Sequence, residues 1–381
     1  MDKSRVVVVP CGTYEEEKVY AAVKAAVSAL GGLGRIVKQD EKILVKPNYL
    51  YPAKAEKCIT TNPAVIKAFA RLLAENGYGN VKIGDSPANG NCRQAFAQLG
   101  LAEEDLYGAV IADMNEEVQV DFPFGKAAKS FAFCKELTEA DAIIGLCKMK
   151  THALERITGA VKNMYGLICG KKKALGHVNF PNAASFAQMM ADMHRCVKPR
   201  LHIMDGIVAM EGNGPASGTP VEMGVILASE DAVALDSVFA RLVNLDPALV
   251  PTNTMGMASG IGTCRESEIE VMLLEEGILK NISMDELFRR FGKEDFKVQR
   301  EKEKFSILSL WSRITGGFAK KPVIDPEKCV KCGVCVDHCP VDGRAVSFKN
   351  GKENVPVYDY NKCIRCFCCQ EICPQHAIGV K

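Results

Sequence analysis

Over residues 5–295 the apolar positions alternate between short unbroken runs and helical spacing. Arg5 to Val9 (RVVVV) read as a continuous apolar run of the kind buried on both faces of a parallel sheet. Thr13 and Glu16 make a capping-box pattern ahead of Val19, Val23, Ala26, Val27 and Leu30, which recur at helical spacing. Gly31 stands where a C′ residue belongs. Residues 43–46 predict the next strand. Asn62 and Pro63 then open a helix as N-cap and N1, and Gly77 closes it. Residues 81–84, 109–112, 142–147, 201–204 and 223–228 predict further strands. Residues 181–197, 230–243, 267–276 and 284–291 predict helices. The alternation predicts an α/β domain with a three-layer, mostly parallel sheet.

After residue 295 the pattern breaks. Residues 297–304 are dense in charge and predict a solvated helix face. Residues 305–318 are apolar, carry the single tryptophan, Trp311, and are expected to pack between domains rather than on a membrane surface. Gly316-Gly317 and Lys320-Lys321-Pro322 make a hinge. The organisation read here is an α/β domain over residues 1–295, a linker over 296–322 and a small domain over 323–381.

The small domain contains one cysteine pattern twice. Cys329, Cys332, Cys335 and Cys339-Pro340 follow C-x₂-C-x₂-C-x₃-C-P, and Cys363, Cys366, Cys369 and Cys373-Pro374 repeat it. Zinc sites pair two short hooks rather than three hooks in a row, and disulfides belong to exported chains, whereas no secretory signal is seen. The segment resembles two-cluster bacterial ferredoxins, with a small α+β fold. That resemblance implies that three thiolates of each run and the fourth of the other run hold one [4Fe–4S] cluster. Cys329, Cys332, Cys335 and Cys373 would hold the first, and Cys339, Cys363, Cys366 and Cys369 the second. Cys368 is an extra cysteine outside the pattern. Residues 346–360 can form a hairpin or small insertion around Asn350-Gly351.

Composition narrows the classes. Hydrophobic residues make up 48% of the chain and charged residues 25%, as in ordinary globular proteins. The net charge of +2 suggests no nucleic-acid surface, and no apolar stretch reaches membrane-spanning length. Seventeen cysteines without an export signal point to a reducing cytoplasm. Neither a P-loop nor a G-x-G-x-x-G is present, and a flavin has no motif here to support it.

Polar clusters follow the predicted strands of the large domain, where open α/β sheets place their ligands. They are Lys46-Pro47-Asn48, Gly84-Asp85-Ser86-Pro87, Lys148-Met149-Lys150-Thr151-His152 and Asp205-Gly206. Lys162 and Asn163 follow shortly after the third, and residues 210–220 form a loop rich in small residues. Lysines at the ends of buried strands cost desolvation unless an anion meets them. Lys46, Asn48, Lys148, Lys150, Lys162 and Asn163 are therefore the ligand-binding candidates, for a carboxylate or phosphate group. His152 and Asp85 are the proton-handling candidates, and Lys171-Lys172-Lys173 is expected to be solvated. Together with Thr158-Gly159-Ala160-Val161-Lys162-Asn163, Glu211-Gly212-x-Gly214-Pro215 and Asp231-x-x-Ala234-Leu235-Asp236, these segments resemble the DUF362 proteins. That family is a domain of unknown function often joined to a two-cluster ferredoxin, and the resemblance supplies an architecture without a reaction.

The expected function is single-electron transfer through two [4Fe–4S] clusters. Electrons would pass between a redox protein partner and an anionic-ligand site in the α/β domain, as in a ferredoxin-linked oxidoreductase. The alternative is a non-catalytic electron carrier or binding module whose α/β domain recognises a partner.

Overall fold

The computed structural model describes residues 3–301, 320–349 and 351–381. The apolar segment 305–318 with Trp311, and Asn350 of the expected hairpin, lie outside the described residues.

One ten-stranded sheet organises the large domain. Its strands are β1 (Ser4–Pro10), β2 (Ile43–Lys46), β3 (Val81–Ile83) and β4 (Val110–Ile111). Two strands, β5 (Glu117–Asp121) and β6 (Ser130–Cys134), form a separate hairpin. The sheet resumes with β7 (Ala142–His152), β8 (Arg156–Thr158), β9 (Leu201–Glu211), β10 (Thr219–Ser229), β11 (Ile269–Glu275) and β12 (Ile278–Ile282). The spatial order is β12-β11-β1-β10-β9-β7-β2-β3-β4, with β8 beside β7. The run β4-β3-β2-β7-β9 is parallel throughout. Strand β10 is antiparallel to both β9 and β1, while β11 runs parallel to β1. Helices form two layers: Glu16–Ala29 packs with Pro63–Glu75, and Ala183–Val197 and Ala232–Leu242 pack with Pro251–Ala258. The result is the three-layer, mostly parallel α/β architecture that the alternation predicts.

Local chemistry explains the element ends. Asn62 caps its helix by accepting the Ala64 N–H at 2.9 Å, with Pro63 at N1. Gly31 and Gly77 each adopt the left-handed conformation that ends a helix.

Four expectations are corrected. Thr13 and Glu16 form no capping box: the helix starts at Glu16, Glu15 is the N-cap without a side-chain bond, and Thr13 Oγ1 instead accepts the Glu15 N–H. Residues 269–275 are strand, not helix, and their buried positions alternate with period two. Strand β1 is flanked by an antiparallel neighbour on one side. Finally, β7 and β9 run eleven residues each, well past Cys147 and Met204. Lys148, Lys150, His152 and Asp205 therefore sit within strands. Those long ends are held by β8 and β10 and stand above the short strands β2 and β3.

The C-terminal segment contributes β13 (Pro322–Ile324), β14 (Val346–Ser347), β15 (Val357–Tyr358) and β16 (Ile378–Val380), paired as β13-β16 and β14-β15. Val336, Val346, Ala377 and Ile378 pack with the cysteines in its small core. The segment rests on the raised ends of β7 and β9 and the following loop. His152 Nε2 meets Glu371 Oε1 at 2.8 Å, Gln370 Nε2 donates to Asn213 O at 2.9 Å, and Ser217 Oγ lies 2.9 Å from His376 Nδ1.

Candidate functional site

At the carboxyl ends of β2, β3 and β7 the sequence places charge in a buried setting. The Lys46 ammonium lies 2.9 Å from Asp85 Oδ1 and donates to Asn163 Oδ1 at 3.0 Å. Asp85 Oδ2 accepts the Tyr49 N–H at 2.7 Å. Lys150 Nζ donates to Asn48 Oδ1 at 2.7 Å and to Ile59 O at 2.6 Å. Asn48 in turn donates to Asn163 Oδ1. Burial lowers the affinity of both ammonium groups for protons. For Lys46, Asp85 opposes the shift; for Lys150, the nearby Lys162 charge adds to it and the value falls to about 7.

The protein meets two of the predicted cations with its own carboxylates. Lys46 has Asp85, and Lys148 Nζ reaches Asp205 Oδ2 and Tyr14 Oη, each at 2.8 Å. Lys148 is thereby committed to its own network with Asp205 and Tyr14. Among the described residues, Lys150, Lys162 and Lys173 have no carboxylate within ion-pair distance. Lys173 is not the solvated surface lysine expected from its run. Its ammonium donates to Ile168 O at 2.5 Å, and burial brings it down to about 8.

A cavity of about 100 Å³ opens at this layer. The α/β domain lines it with Asn48, Asp85, Ser86, Lys162, Asn163 and Lys173, and beside them Tyr165 and His177. The cysteine-rich segment closes the opposite wall with His338, Cys368, Glu371 and Ile372. One buried polar atom of the lining, His177 Nδ1, has no hydrogen-bond partner among the described residues, whereas Asp85 Oδ1 is met by the Lys46 ammonium. An unmet atom of this kind costs free energy unless a ligand or water meets it. His177 is clamped rigidly, stacked on Phe186 at 4.2 Å with Tyr165 edge-on, and burial holds it neutral, down to about 3.

The turn carrying Lys162 and Asn163 is fixed from below. Asp236 accepts the Ala160 N–H at 2.6 Å and the Val161 N–H at 3.1 Å, and burial pushes its carboxyl up to about 7. A Cβ at Gly159 would overlap that carboxylate, and one at Gly166 would overlap both Asp85 and Lys46. These contacts account for two glycines of the T-G-A-V-K-N and neighbouring segments by close approach.

His152 does not line this cavity. Its Nδ1 accepts the Leu154 and Glu155 N–H groups at 3.1 and 3.0 Å, which fixes the neutral Nε2–H tautomer that donates to Glu371. Burial, with the Lys162 charge, holds the ring down at about 4. Burial works against the Glu371 charge, yet His152 and Lys162 hold its carboxyl low, at about 2. His152 therefore orients Glu371 in the cavity wall. Sequence reading missed Glu371, His177, Tyr165 and Lys173. Glu371 alone left a signal, as an acid between cluster-motif cysteines Cys369 and Cys373.

The buried imidazoles give a pH prediction. Unfolded, each histidine takes its proton near 6.5, whereas in the fold His152 and His194 do so near 4, His177 near 3, and His202 well below the usual range, all through burial. Their contribution is complete above pH 6.5 and is lost as pH falls. Glu155 and Asp236 act oppositely. Burial keeps them protonated up to about 8 and 7, so their contribution is present in acid and lost as pH rises. Four imidazoles outweigh two carboxyls, so stability falls between pH 6.5 and 4.5, by about 1.4 kcal/mol per pH unit for each net proton. Urea midpoints at pH 6.5 and 5 check this; a higher midpoint at pH 5 contradicts it.

The cysteines of the C-terminal segment lie close to one another. Cys329, Cys332, Cys335 and Cys373 line one small cavity. Cys363 lies within electrostatic reach of Cys366 and Cys339, and Cys369 of Cys366 and Cys363. Among the described residues no three His, Cys, Asp or Glu side chains close on a single metal ion; a cubane spreads its thiolates wider. All-thiolate donor sets of four suit a [4Fe–4S] cluster. Hydrogen bonds already point at the sulfurs. Ala377 N–H reaches Cys373 Sγ and Ala345 N–H reaches Cys339 Sγ, both at 3.3 Å, and Tyr358 Oη reaches Cys369 Sγ at 3.1 Å. The first group has an exposed member, Cys332; in the second, Cys366 and Cys369 flank buried Cys368 in the cavity wall.

Fold and site together define an iron–sulfur protein: an α/β domain with a buried polar cavity, closed by a dicluster ferredoxin segment. Residues 43–241 match the domain of unknown function DUF362 and residues 321–374 match a 4Fe-4S dicluster domain; the chain belongs to the DUF362 family. It is 37% identical over 247 residues to a thylakoid-associated protein of Synechocystis sp., an alignment covering 63% of this chain and 74% of that one. Among solved structures it resembles the lactate racemase apoprotein of Thermoanaerobacterium thermosaccharolyticum, with a TM-score of 0.37, 13% identity and 59% of this chain covered. A Thermotoga maritima protein gives a TM-score of 0.35 and 14% identity, with 67% covered. The chain spans 54% and 59% of those two proteins' lengths. Among the described residues no helix is long and apolar enough to cross a membrane.

Proposed function

We propose that this chain passes single electrons through its cysteine-rich segment to or from a small anionic ligand held in the cavity, as a ferredoxin-linked oxidoreductase. The observation that carries this reading is the shared wall: Cys368 and Glu371, from the second cysteine loop, face Lys162 and Lys173 across one cavity. Two [4Fe–4S] clusters, one on Cys329, Cys332, Cys335 and Cys373 and one on Cys339, Cys363, Cys366 and Cys369, supply one-electron chemistry when bound. Lys162 and Lys173 supply positive charge for the anion, and Asn48, Ser86 and Asn163 supply oriented hydrogen bonds. Lys46 and Lys150 lock the two asparagines from behind, so the amides are oriented before a ligand arrives. His177 Nδ1, without a hydrogen-bond partner among the described residues, and the Asp85 carboxylate, paired with Lys46, are the groups placed to accept or exchange a proton with it.

The cavity's size suits a ligand of a few heavy atoms better than an isoalloxazine ring; one water needs roughly 10–15 Å³ on this measure. The exposed Cys332 loop is the face we assign to a redox protein partner, and the all-thiol cysteines favour a reducing cytoplasm. Replacing Lys162 with Met should weaken binding of small carboxylates and inorganic phosphate by about tenfold, ~1.4 kcal/mol, measured calorimetrically on the anaerobically reconstituted chain. Unchanged binding would favour the carrier reading.

A further inference from the structure

The two cysteine groups do not receive the same hydrogen bonds. In the outer group, the one with exposed Cys332, Ala377 N–H points at Cys373 Sγ. In the inner group, Ala345 N–H points at Cys339 Sγ, and in addition the Tyr358 hydroxyl points at Cys369 Sγ at 3.1 Å. Backbone donors to sulfur come with the loop conformation. A side-chain hydroxyl does not, and it is removable without moving the chain. Tyr358 lies on β15, where its ring stacks on Tyr360 at 5.6 Å and packs against the small core. The Tyr360 hydroxyl turns away from the cysteines and donates to Pro322 O at 2.9 Å. Two neighbouring tyrosines thus share a stacking role, but only one touches a cluster-binding sulfur.

We infer that the Tyr358 hydroxyl raises the reduction potential of the inner cluster relative to the outer one, making the cavity side the electron-accepting end of the pair. The inference rests on the two-cluster reading above and gives it a direction. Reduction adds one negative charge to the cluster and its thiolates. A donor aimed at Cys369 Sγ stabilises the more negative, reduced form more than the oxidised one, so it lifts the potential. Electrons entering at the exposed Cys332 loop are then drawn toward Cys369, whose neighbour Cys368 lies in the cavity wall. The exposure of the outer loop acts on its own potential in wild type and variant alike, and cancels in the comparison between them.

The test is an EPR-monitored redox titration of the anaerobically reconstituted full chain as wild type, Tyr358→Phe and Tyr360→Phe, with iron counted in each. About eight irons are expected in all three. In Tyr358→Phe one of the two reduction steps moves to a more negative potential while the other stays, and Tyr360→Phe titrates as wild type. A second measurement leaves every residue in place. The chain produced with 3-fluorotyrosine has more acidic hydroxyls that donate more strongly, so the same step moves to a more positive potential. Two intact clusters whose potentials ignore both changes, or which move together, overturn the inference while leaving the two-cluster reading intact. Wild type with far fewer irons and no reduced-cluster signal would overturn the reading itself.

Discussion

Gly166→Ala should be among the most damaging single-methyl changes the α/β domain can suffer. The Gly166 backbone lies directly over the Lys46–Asp85 pair, and a Cβ there overlaps Asp85 Oδ1 and the Lys46 ammonium together. Neither partner can swing aside into water, because their side chains are 0% and 2% exposed. The new methyl must either separate the ions or push the segment carrying Tyr165 and Gly166 away from Ser86, whose N–H it accepts at 3.3 Å. Breaking one partner away from a buried ion pair costs about 3–5 kcal/mol. The same shift deforms the cavity, so anion binding should disappear with the stability. Equilibrium denaturation gives the first quantity and calorimetry the second. Gly79→Ala is the matched control: no atom lies within 4 Å of its added methyl, and its effect should stay within about 0.5 kcal/mol.

The second large effect is expected at His152. Truncation to Ala removes the one hydrogen-bond donor that the Glu371 carboxylate has among the described residues, and it also orphans the Leu154 and Glu155 N–H groups. Leaving a buried charged group unsatisfied costs about 3 kcal/mol. The loss falls on the join between the α/β domain and the cysteine segment, so the segment should become the first site of limited proteolysis. Replacing both partners, as His152→Ala with Glu371→Leu, should cost less than His152→Ala alone, because no charge is then stranded. If the two single costs simply add, the contact contributes nothing and the join is held elsewhere.

The contrast between these two sites shows what the chain discloses in sequence. Local spacing was legible. The duplicated cysteine pattern marked the 4Fe-4S dicluster domain, and cap residues such as Asn62-Pro63 marked a helix start because their chemistry is satisfied within one turn. Strand ends were less so. Lys148, Lys150, His152 and Asp205 looked like post-strand polar residues, since nothing local says that β8 and β10 will extend β7 and β9 past them. Residues 269–275 carry acids and apolar residues that satisfy either period, and only pairing with β1 and β12 decides for strand. Of the predicted site residues, Asn48, Asp85, Lys162 and Asn163 line the cavity, Lys46, Lys150 and His152 support it from behind, and Lys148 serves a separate ion pair. Glu371 and Lys173 were hidden because burial, not residue type, makes them functional candidates. Glu371 meets His152 from 219 positions away, a separation that no local pattern encodes.

If the cavity ligand and the cysteine segment exchange electrons, reoxidation of the reduced chain depends on the cavity. The most direct measurement is the rate at which the reconstituted chain, reduced with dithionite and freed of excess reductant, is reoxidised anaerobically by the small-molecule fraction of a cell extract. Visible absorbance follows the reaction in wild type and in Lys162→Met. The wild type should be reoxidised, and Lys162→Met at a rate about tenfold lower, the two proteins having equal iron content and equal reoxidation by ferricyanide. Equal rates with the extract fraction would contradict it, and would mean that electrons leave this chain without passing the cavity.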